Sequence, residues 1–477
     1  MLKGILSLFP LLLFLRSLEA AKFLDNSNNN NDNYHRNLFQ FSSECEYDET
    51  LPYYVSSSSG KNWNTGLSTD KPFQTIQHAI NNRMDCQIIY VMEGIYRNKD
   101  FGTSNNKNHK NKIIWLNGVA NLKILGYPGS TKPILEFDGP GAIIGGSKTS
   151  PVSNIEIANL EIRGPNRNIN WQEAMDDRLT KSSYYNGRGI AIWAGHHIYL
   201  HDLVVHDCPA SGLRVNRGDY ITISNNVVYN TTFWTSSAES AIVLAASEHI
   251  DRYDGVKMRL LNNTVYNNIN KVPYYNPNYD WDYSPLKSNC GSYSACEQEL
   301  VEDCPWQCRY GHKTQDYIID GMGVYVTRNS DTYLHGMMEL SYNTCYGNGI
   351  NGLGFHRTHR GTIKQNLIYN NGVVPRLDKP EVVEEDWQKF LGKSRRPFSG
   401  ITINNAKSVN LCSNRVAARY DDDFAYRQVT DNNGQSRHLE VGGNNKVCKG
   451  KIDSTFITIV DHVCSEDTTI YQEQITQ

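Results

Sequence analysis

The sequence lacks a strong charge of either sign, and after residue 15 it lacks any apolar run long enough to cross a bilayer. Its 47 lysines and arginines nearly balance 50 aspartates and glutamates, which leaves a net charge of -3. A nearly neutral chain offers little attraction to nucleic acid or to an anionic membrane, so we expect neither as a partner. Strong helix formers do not dominate, whereas 36 glycines and 29 tyrosines suit turns and a sugar-facing surface.

The first segment has the order of a secretory signal peptide. Lys3 precedes an apolar run from Ile5 to Leu15, and small residues follow at Ala20 and Ala21. This order predicts a signal peptide over residues 1–20, removed after Ala20, and therefore a secreted, extracellular protein with no membrane span after cleavage. An uncleaved anchor is the alternative, although the run is short for a span. Residues 21–50 are Asn-rich and of low complexity, which predicts a spacer.

Eleven cysteines are at home in an oxidising compartment and predict disulfide bonds. Because eleven is odd, at least one thiol is expected to be free or intermolecular. Four cysteines lie close together, and their spacing favours two local disulfides over a metal site: Cys290, Cys296, Cys304 and Cys308. Asn230 and Asn262 begin glycosylation sequons, which a eukaryotic source would be able to use.

A repeat of 23 residues organises the middle of the chain. Residues 189–190 (Gly-Ile) recur at 212–213 (Gly-Leu), and residues 204–207 (Val-Val-His-Asp) recur at 227–230 (Val-Val-Tyr-Asn). Each copy holds three short alternating apolar runs separated by Gly, Asn or Asp, which predicts three strands and three turns. A fixed period with three strands is typical of a parallel β-helix, in which each coil buries its apolar face against its neighbours.

We predict that this β-helix domain covers residues 51–470, with the N-terminal cap and first coil over 51–100. Two stretches break the rhythm and are expected to be long loop insertions: the Cys-rich segment 270–318 and the charged segment 373–398. Residues 163–186 are also expected to form a loop. Long excursions of this kind often form the walls of a binding cleft.

The beginning of the domain resembles a known family. A Gly/Ser/Asn loop is followed by Pro-Phe-Gln-Thr-Ile-Gln-His-Ala at 72–79 and by Ile-Tyr-Val-Met-Glu-Gly-Ile-Tyr at 89–96. This order resembles the start of secreted proteins of the pectate-lyase-like superfamily. The resemblance implies an all-β fold, a single right-handed parallel β-helix whose first coil is capped by a short helix. We expect that helix to begin at Pro72 and to bury Phe73, Ile76, Ala79 and Ile80.

The resemblance says little about activity, because the superfamily contains lyases, hydrolases, epimerases and non-catalytic binders. The step Asp-Gly-Met-Gly at 320–323 resembles one found in secreted bacterial β-helix proteins. The well-known motifs of pectate lyases and alginate epimerases are not recognisable in this chain. The site must therefore be sought in the repeat itself.

Stacking the repeats gives columns of residues without coordinates. An Asn column precedes the last strand of each coil and predicts a structural ladder: Asn226, Asn263, Asn343, Asn366 and Asn414. The first strand of each coil opens with Gly or Ser, and alternation then turns the residues two and four positions later towards solvent. In the Ser240 coil this rule places the apolar Ile242 and Leu244 outside, which breaks the pattern.

The resulting exposed strip mixes aromatic, basic and acidic residues. It carries Trp193, Arg214, Asn216, Tyr325 and His356, with Glu239, Asp320, Arg328 and Arg357 at its edges. Neighbouring strands are about 4.8 Å apart, so these groups are expected within one or two sugar rings of each other. An ordinary solvated β face is the alternative interpretation.

β-Elimination in a uronate polymer would use these residue types. It needs a cation at the C6 carboxylate, a base for the C5 proton and an acid for the leaving oxygen. Arg214 or Arg357, or a Ca²⁺ ion held by Asp320 and Glu239, would supply the cation. His356 and Tyr325 would transfer the proton, and Trp193, Asn216 and Arg328 would bind the substrate.

The sequence therefore predicts a monomeric, secreted lyase acting on an extracellular acidic polysaccharide. No cofactor other than the possible Ca²⁺ is expected. A non-catalytic carbohydrate-binding or cell-surface protein is the first alternative. A uronate epimerase would use the same proton abstraction, whereas a glycoside hydrolase would need two carboxylates across the scissile bond.

Overall fold

The structure is a computed structural model. The chain divides into two compact units, residues 1–46 and 47–477. The predicted signal peptide and most of the predicted spacer, Cys-rich insertion and charged insertion lie outside the described residues. In the described part, no helix is long and apolar enough to cross a membrane. The structure describes residues 45–98, 112–177, 184–237, 239–272, 274, 318, 320–373, 399–421, 423–429, 437–441, 445–452 and 460–461.

Three parallel sheets make up the described part of the second unit, and from β4 to β30 each coil contributes one strand to each sheet. Sheet I carries the predicted strip and has ten strands within the described ranges. They are β4 (Lys112–Leu116), β7 (Gly141–Gly145), β10 (Arg188–Ile192), β13 (Leu213–Asn216), β16 (Ile242–Ala245), β19 (Val324–Thr327), β22 (Asn351–His356), β25 (Ser399–Asn404), β28 (Phe424–Val429) and β31 (Lys451–Ile452).

Sheet II follows sheet I in each coil and has eleven described strands. They are β1 (Tyr53–Val55), β2 (Gln87–Val91), β5 (Ala120–Gly126), β8 (Val152–Ala158), β11 (Gly195–His201), β14 (Gly218–Ser224), β17 (Val256–Leu261), β20 (Met337–Ser341), β23 (His359–Lys364), β26 (Lys407–Cys412) and β29 (Arg437–Val441).

Sheet III closes each coil with short strands, again eleven in the described residues. They are β3 (Ile95–Arg97), β6 (Ile134–Glu136), β9 (Glu161–Arg163), β12 (Val204–His206), β15 (Val227–Tyr229), β18 (Thr264–Tyr266), β21 (Thr344–Tyr346), β24 (Leu367–Tyr369), β27 (Arg415–Ala417), β30 (Asn445–Lys449) and β32 (Val460–Asp461). The predicted right-handed parallel β-helix is confirmed.

The core is a set of aliphatic columns inside the three sheets. In sheet I the register stacks one buried residue of each coil on the next: Ile143, Ile190, Leu213, Ile242, Val324, Leu353 and Ile401. Burying one such side chain stabilises the fold by roughly 1.5–3 kcal/mol. Gly361 in sheet II leaves room for the ring of Phe355, which lies in the core. A Cβ at Gly361 would be only 2.4 Å from Phe355 Cζ.

The Ser240 coil is one residue out of step with the predicted alignment. Leu213 pairs with Ile242 and Val215 with Leu244, so both residues point into the core rather than towards solvent. Val243 takes the outward place beside Arg214. The prediction failed here because the coil is apolar on both faces, and alternation alone does not tell its two faces apart.

A short helix at the N-terminal end confirms the predicted cap, but not its start. Helix α1 runs over Ile76–Asn81, and Thr75 is its N-cap, with Oγ1 accepting a bond from the N–H of His78 at 3.1 Å. Phe73 lies before the helix in extended backbone bridged to Val55. The helix was predicted to begin at Pro72 because proline suits the first turn of a helix. Pro72 instead lies just before the bridged residue Phe73, outside the helix. Ile76, Ala79 and Ile80 are buried as predicted.

The predicted Asn ladder joins the coils at the turn between sheets II and III. Each Asn Oδ1 accepts bonds from the backbone N–H and the Nδ2 of the preceding Asn, at 2.9–3.2 Å, from Asn226 through to Asn445. A second ladder after sheet III was not predicted. It runs from Thr231 through Asn268 and Asn348 to Asn371.

The outer side of sheet III carries a stack of aromatic rings. His206, Tyr229, Tyr266, Tyr346 and Tyr369 lie 4.8–5.0 Å apart, with ring planes within 5° of parallel. Each inner ring is covered by a ring above and a ring below, so this column holds the coils together and offers no open ring face to a sugar.

The loop expected at 163–186 contains two short helices within its described residues. They are a 3-10 helix (Asn166–Asn168) and α2 (Trp171–Asp177). The described residues include both disulfide-bonded cysteines and free thiols, as expected. Cys45, Cys86 and Cys448 are disulfide-bonded, whereas Cys208, Cys345 and Cys412 are free thiols. The four clustered cysteines at 290–308 lie outside the described residues.

Replacing one Asn of the first ladder will destabilise the fold. Asn343→Ala removes the acceptor for the backbone and side chain of Asn263 and the donor to the carbonyl of Leu260. Leaving buried polar groups unsatisfied costs about 1–3 kcal/mol each, so we expect a clear fall in the midpoint of thermal unfolding. Asn168→Ala, at an exposed position, is the control. Equal midpoints for both variants would contradict a supporting role for the ladder.

Candidate functional site

The outward face of sheet I presents two parallel rows of residues. One row runs through Ala191, Arg214, Val243, Tyr325, Gly354 and Thr402. The other runs through Asn216, Ala245, Thr327, His356 and Asn404. Rows of this kind have one residue every 4.8 Å or so. Arg214 and Tyr325 are therefore two strands, or about 10 Å, apart at the backbone.

A buried carboxylate between two arginines forms one end of the site. Glu239 Oε1 lies 2.5 Å from Arg188 Nη2, and Glu239 Oε2 lies 2.6 Å from Arg214 Nη1. The hydroxyl of Ser211 also donates to Oε2. Burial alone would raise the pKa of Glu239, but the two guanidinium groups and Ser211 lower it to about 2. The arginine cluster (Arg188, Arg214, Glu239) thus carries a net charge of +1.

Trp193 and Asn216 complete this end of the site. The guanidinium carbons of Arg188 and Arg214 lie 5.3 Å and 5.8 Å from the centre of the Trp193 ring. Asn216 Oδ1 accepts a bond from Arg214 Nε at 3.1 Å. The structure therefore brings Trp193, Arg214, Asn216 and Glu239 together. Sequence reasoning missed Arg188 and Ser211, although each directly precedes the glycine that opens its strand.

Asp320 lies beside the arginine cluster but has a different environment. Ser240 Oγ donates to Asp320 Oδ1 at 2.5 Å, and the backbone N–H of Gly321 bonds to the carbonyl of Glu239 at 2.9 Å. Burial raises the pKa of Asp320 to about 7, and the nearby charge of Glu239 adds to the rise. Two neighbouring carboxyl groups therefore differ in protonation near neutral pH.

The expected Ca²⁺ ion does not fit Asp320 and Glu239. Ca²⁺ takes six to eight oxygen ligands, several of them charged. Both oxygens of Glu239 already bind guanidinium groups, which would repel a cation at the same position. Across the described ranges, no group of three or more His, Cys, Asp or Glu is arranged to hold a metal.

Tyr325 and His356 form the other end of the site. Tyr325 Oη lies 2.8 Å from His356 Nδ1, and Thr327 Oγ1 lies 3.0 Å from the same nitrogen. The two rings are nearly parallel, with centres 6.1 Å apart. Gly354 leaves room for the tyrosine, because a Cβ there would be 3.0 Å from Tyr325 Cδ2 and 2.6 Å from Met322 Sδ. The predicted proton-transfer pair is thus in hydrogen-bond contact.

The two remaining arginines lie in turns at the end of the strip. Arg328 and Arg357 both have left-handed backbone, with φ of 57° and 44°, where sheet I strands pass into sheet II. Arg357 Nη2 is paired with Asp331 Oδ2 at 3.0 Å, and Arg328 is exposed. Both arginines, five residues after the glycine that opens their strand, therefore occupy turns, and they do not join the arginine cluster.

The arrangement combines a cationic end with a hydroxyl–imidazole end on one rigid face. The first can bind a carboxylate, and the second can take up and return a proton. Several residues of this face are nonetheless buried, among them Arg214 (7% exposed), Thr327 (4%) and Thr402 (8%).

No protein-family model matches the chain, and no curated protein matches it in sequence. Solved structures similar to it include a pectate lyase (12% identity, TM-score 0.41, covering 88% of this chain and 80% of that one). A rhamnogalacturonan lyase has 12% identity and a TM-score of 0.38, with 84% and 87% covered. A mannuronan C-5 epimerase module from Azotobacter vinelandii has the same identity and TM-score, with 84% and 95% covered.

At these identities and TM-scores the likeness carries no information about the activity of this chain. The fold follows from the strand register itself, in which every sheet is parallel and every neighbour is one coil away. The chain is a right-handed parallel β-helix, the architecture expected from its resemblance to the pectate-lyase-like superfamily.

Proposed function

We propose that this protein is a secreted polysaccharide lyase that cleaves uronate-containing chains by β-elimination on the outer face of sheet I. The observation that carries the proposal is the Tyr325–His356 hydrogen bond on the same face as the arginine cluster.

The reaction requires a proton carrier at C5 of the uronate. In the tautomer that carries its hydrogen on Nε2, His356 accepts bonds at Nδ1 from the hydroxyls of Tyr325 and Thr327. Tyr325 can then pass its proton to His356 and remove the C5 proton as a phenolate. The C5–H and C4–O bonds break, a C4=C5 double bond forms, and the tyrosine hydroxyl returns a proton to the departing oxygen.

The arginine cluster supplies the positive charge that this elimination needs. Removing the C5 proton places negative charge on the uronate carboxylate, and pre-oriented cations stabilise that charge. Glu239 holds Arg188 and Arg214 in place and neutralises only one of them. Trp193 lies against both guanidinium groups and gives the bound sugar an apolar surface.

Glycoside hydrolysis is the second candidate, because Glu239 and Asp320 have pKa values near 2 and 7. An ionised and a protonated carboxyl side by side are the pair that hydrolysis uses. Both side chains are almost fully buried, however, with 2% and 4% of their surface exposed. In hydrolysis both carboxyl groups must touch the sugar at the scissile bond. Because the two side chains are buried, we rank hydrolysis below elimination.

Tyr325→Phe and His356→Ala should each abolish most of the lyase activity while leaving the fold intact. Loss of a positioned proton carrier typically costs 10²–10⁴-fold in rate, so we expect a fall of roughly 100-fold or more. The measurement is the ultraviolet absorbance of the unsaturated product on a panel of pectin, alginate and glycosaminoglycans.

Tyr342→Phe is the matched control, since Tyr342 is 52% exposed and lies in the turn between sheets II and III. Full activity in both strip variants would contradict the assigned roles. Glycan binding without any unsaturated product from the wild type would favour a binding protein. New reducing ends without unsaturation would favour the hydrolase.

Asp320→Asn should make stability less dependent on pH. The folded-state pKa of Asp320 is raised from its ordinary 3.8 to about 7, so its stabilising protonated form is present at low pH and lost as pH rises through 7. Each unit of pKa shift corresponds to about 1.4 kcal/mol. Between pH 5 and 8 we expect the unfolding midpoint of the wild type to fall relative to that of the variant.

The exposed Asp421→Asn is the control for this comparison. If the unfolding midpoints of Asp320→Asn and of the wild type changed in parallel between pH 5 and 8, the raised pKa of Asp320 would be refuted. The same variant separates the two reactions, because a lyase would keep its activity and a hydrolase that uses Asp320 as its acid would lose it.

A further inference from the structure

An aromatic lobe stands beside the arginine cluster and is not used by the proposed reaction. It is built from the loop after β9 with its helix α2 and from the loops after β15 and β18, and its members pack together as a separate apolar cluster. They are Ile169, Trp171, Ala174, Met175, Tyr184, Tyr185, Phe233, Trp234 and Val272.

Hydrogen bonds attach this lobe to the first residues of β10. Asn186 Oδ1 accepts bonds from Thr235 Oγ1 at 2.6 Å and from Ser237 Oγ at 3.2 Å. The N–H of Gly187 bonds to the carbonyl of Tyr184 at 3.1 Å, and Arg188 is the next residue. The backbone of Tyr184 is therefore close to that of Arg188, whose guanidinium is paired with Glu239.

Most rings of the lobe are occupied in holding it together. The indole N–H groups of Trp171 and Trp234 donate to the carbonyls of Lys271 and Asn166. The ammonium of Lys271 lies 4.0 Å from the centre of the Phe233 ring. Tyr184 and Tyr185 instead meet edge to face, with centres 5.3 Å apart, and both are half-buried. Trp171 and Phe233 are partly buried to a similar degree, and the Tyr184 hydroxyl is hydrogen-bonded to Asp138.

Among the described residues, the acids of helix α2 next to these two tyrosines carry the charge opposite to that of the arginine cluster. Helix α2 carries Glu173, Asp176 and Asp177 and no lysine or arginine. Burial raises the pKa of both tyrosines, and carboxylates raise it further: Asp138 and Glu173 for Tyr184, and the three acids of α2 for Tyr185. Lys271 is the cation packed into the lobe, and its ammonium lies over Phe233.

We infer that Tyr184 and Tyr185 form a subsite for an uncharged or amino sugar, adjoining the uronate held by the arginine cluster. The substrate is then a polymer in which uronate residues alternate with uncharged or cationic sugars. This inference rests on the proposed function for the position of the uronate. Aromatic rings bind the C–H faces of sugars, and phenol hydroxyls bond to sugar hydroxyls.

A polymer of uronate alone would fit this surface less well. Its carboxylates would be attracted by the arginine cluster and repelled at the next sugar by the acids of α2. Like charges facing each other select against a partner, often more strongly than good contacts select for one. An alternating polymer places its negative charge at one subsite and none at the other.

The test compares two classes of polymer for the full-length protein. Affinity electrophoresis measures binding to polygalacturonate and alginate, which are uronate homopolymers, and to chondroitin and hyaluronan, in which uronate alternates with an amino sugar. We expect tighter binding of the alternating polymers. The double variant Glu173→Gln/Asp176→Asn, at two exposed positions, should improve homopolymer binding by roughly five- to tenfold and leave alternating polymers unchanged.

Tyr185→Ala should weaken binding of the alternating polymers by roughly tenfold, as expected for loss of an aromatic contact. Asp421→Asn and Tyr342→Ala, at exposed positions away from the lobe, are the matched controls. Equal binding of both polymer classes, with no change in the double variant, would overturn the inference. Failure of the proposed function would look different. The protein would still bind the alternating polymers more tightly, but it would form no unsaturated product from them.

Discussion

The coils of this protein are held in register by hydrogen bonds that run along the solenoid axis. Parallel strands pair across every coil boundary, and the two Asn ladders repeat the same connection at the turns. A turn Asn can act as donor and acceptor at once, so each one satisfies the backbone of the coil before it and relies on the coil after it. The rest of the structure depends on this constraint, because only a fixed register lines up residues from distant parts of the sequence.

The candidate site is a direct result of that register. Tyr325 and His356 are 31 residues apart in the chain, yet adjacent strands bring their polar atoms to 2.8 Å. Gly354 makes the contact possible by leaving the space beside the tyrosine open. Arg188, Arg214 and Glu239 likewise come from three successive coils. Each coil contributes one or two groups, and the sheet supplies their positions.

The loops after β9, β15 and β18 add an aromatic lobe to the coils, attached to the residues that precede β10. Its helix α2 carries three acids, opposite in charge to the arginine cluster. The buried arginine pair shows why such a cluster is retained: Glu239 is stable as an anion only between two guanidinium groups. The site is thus built from electrostatic pairs that are mostly internal to the protein.

The sequence by itself determined the repeat, the three strands per coil, the first Asn ladder and the closeness of Trp193, Arg214 and Asn216, since period and alternation are properties of the chain. Tertiary structure decided which face the Ser240 coil presents, because its residues are apolar on both sides. It also decided that Arg188 joins the site, that Glu239 is locked between arginines rather than open to Ca²⁺, and that burial raises the pKa of Asp320 to about 7. Burial and charge pairing depend on neighbours from other coils, and these neighbours meet only in the folded chain.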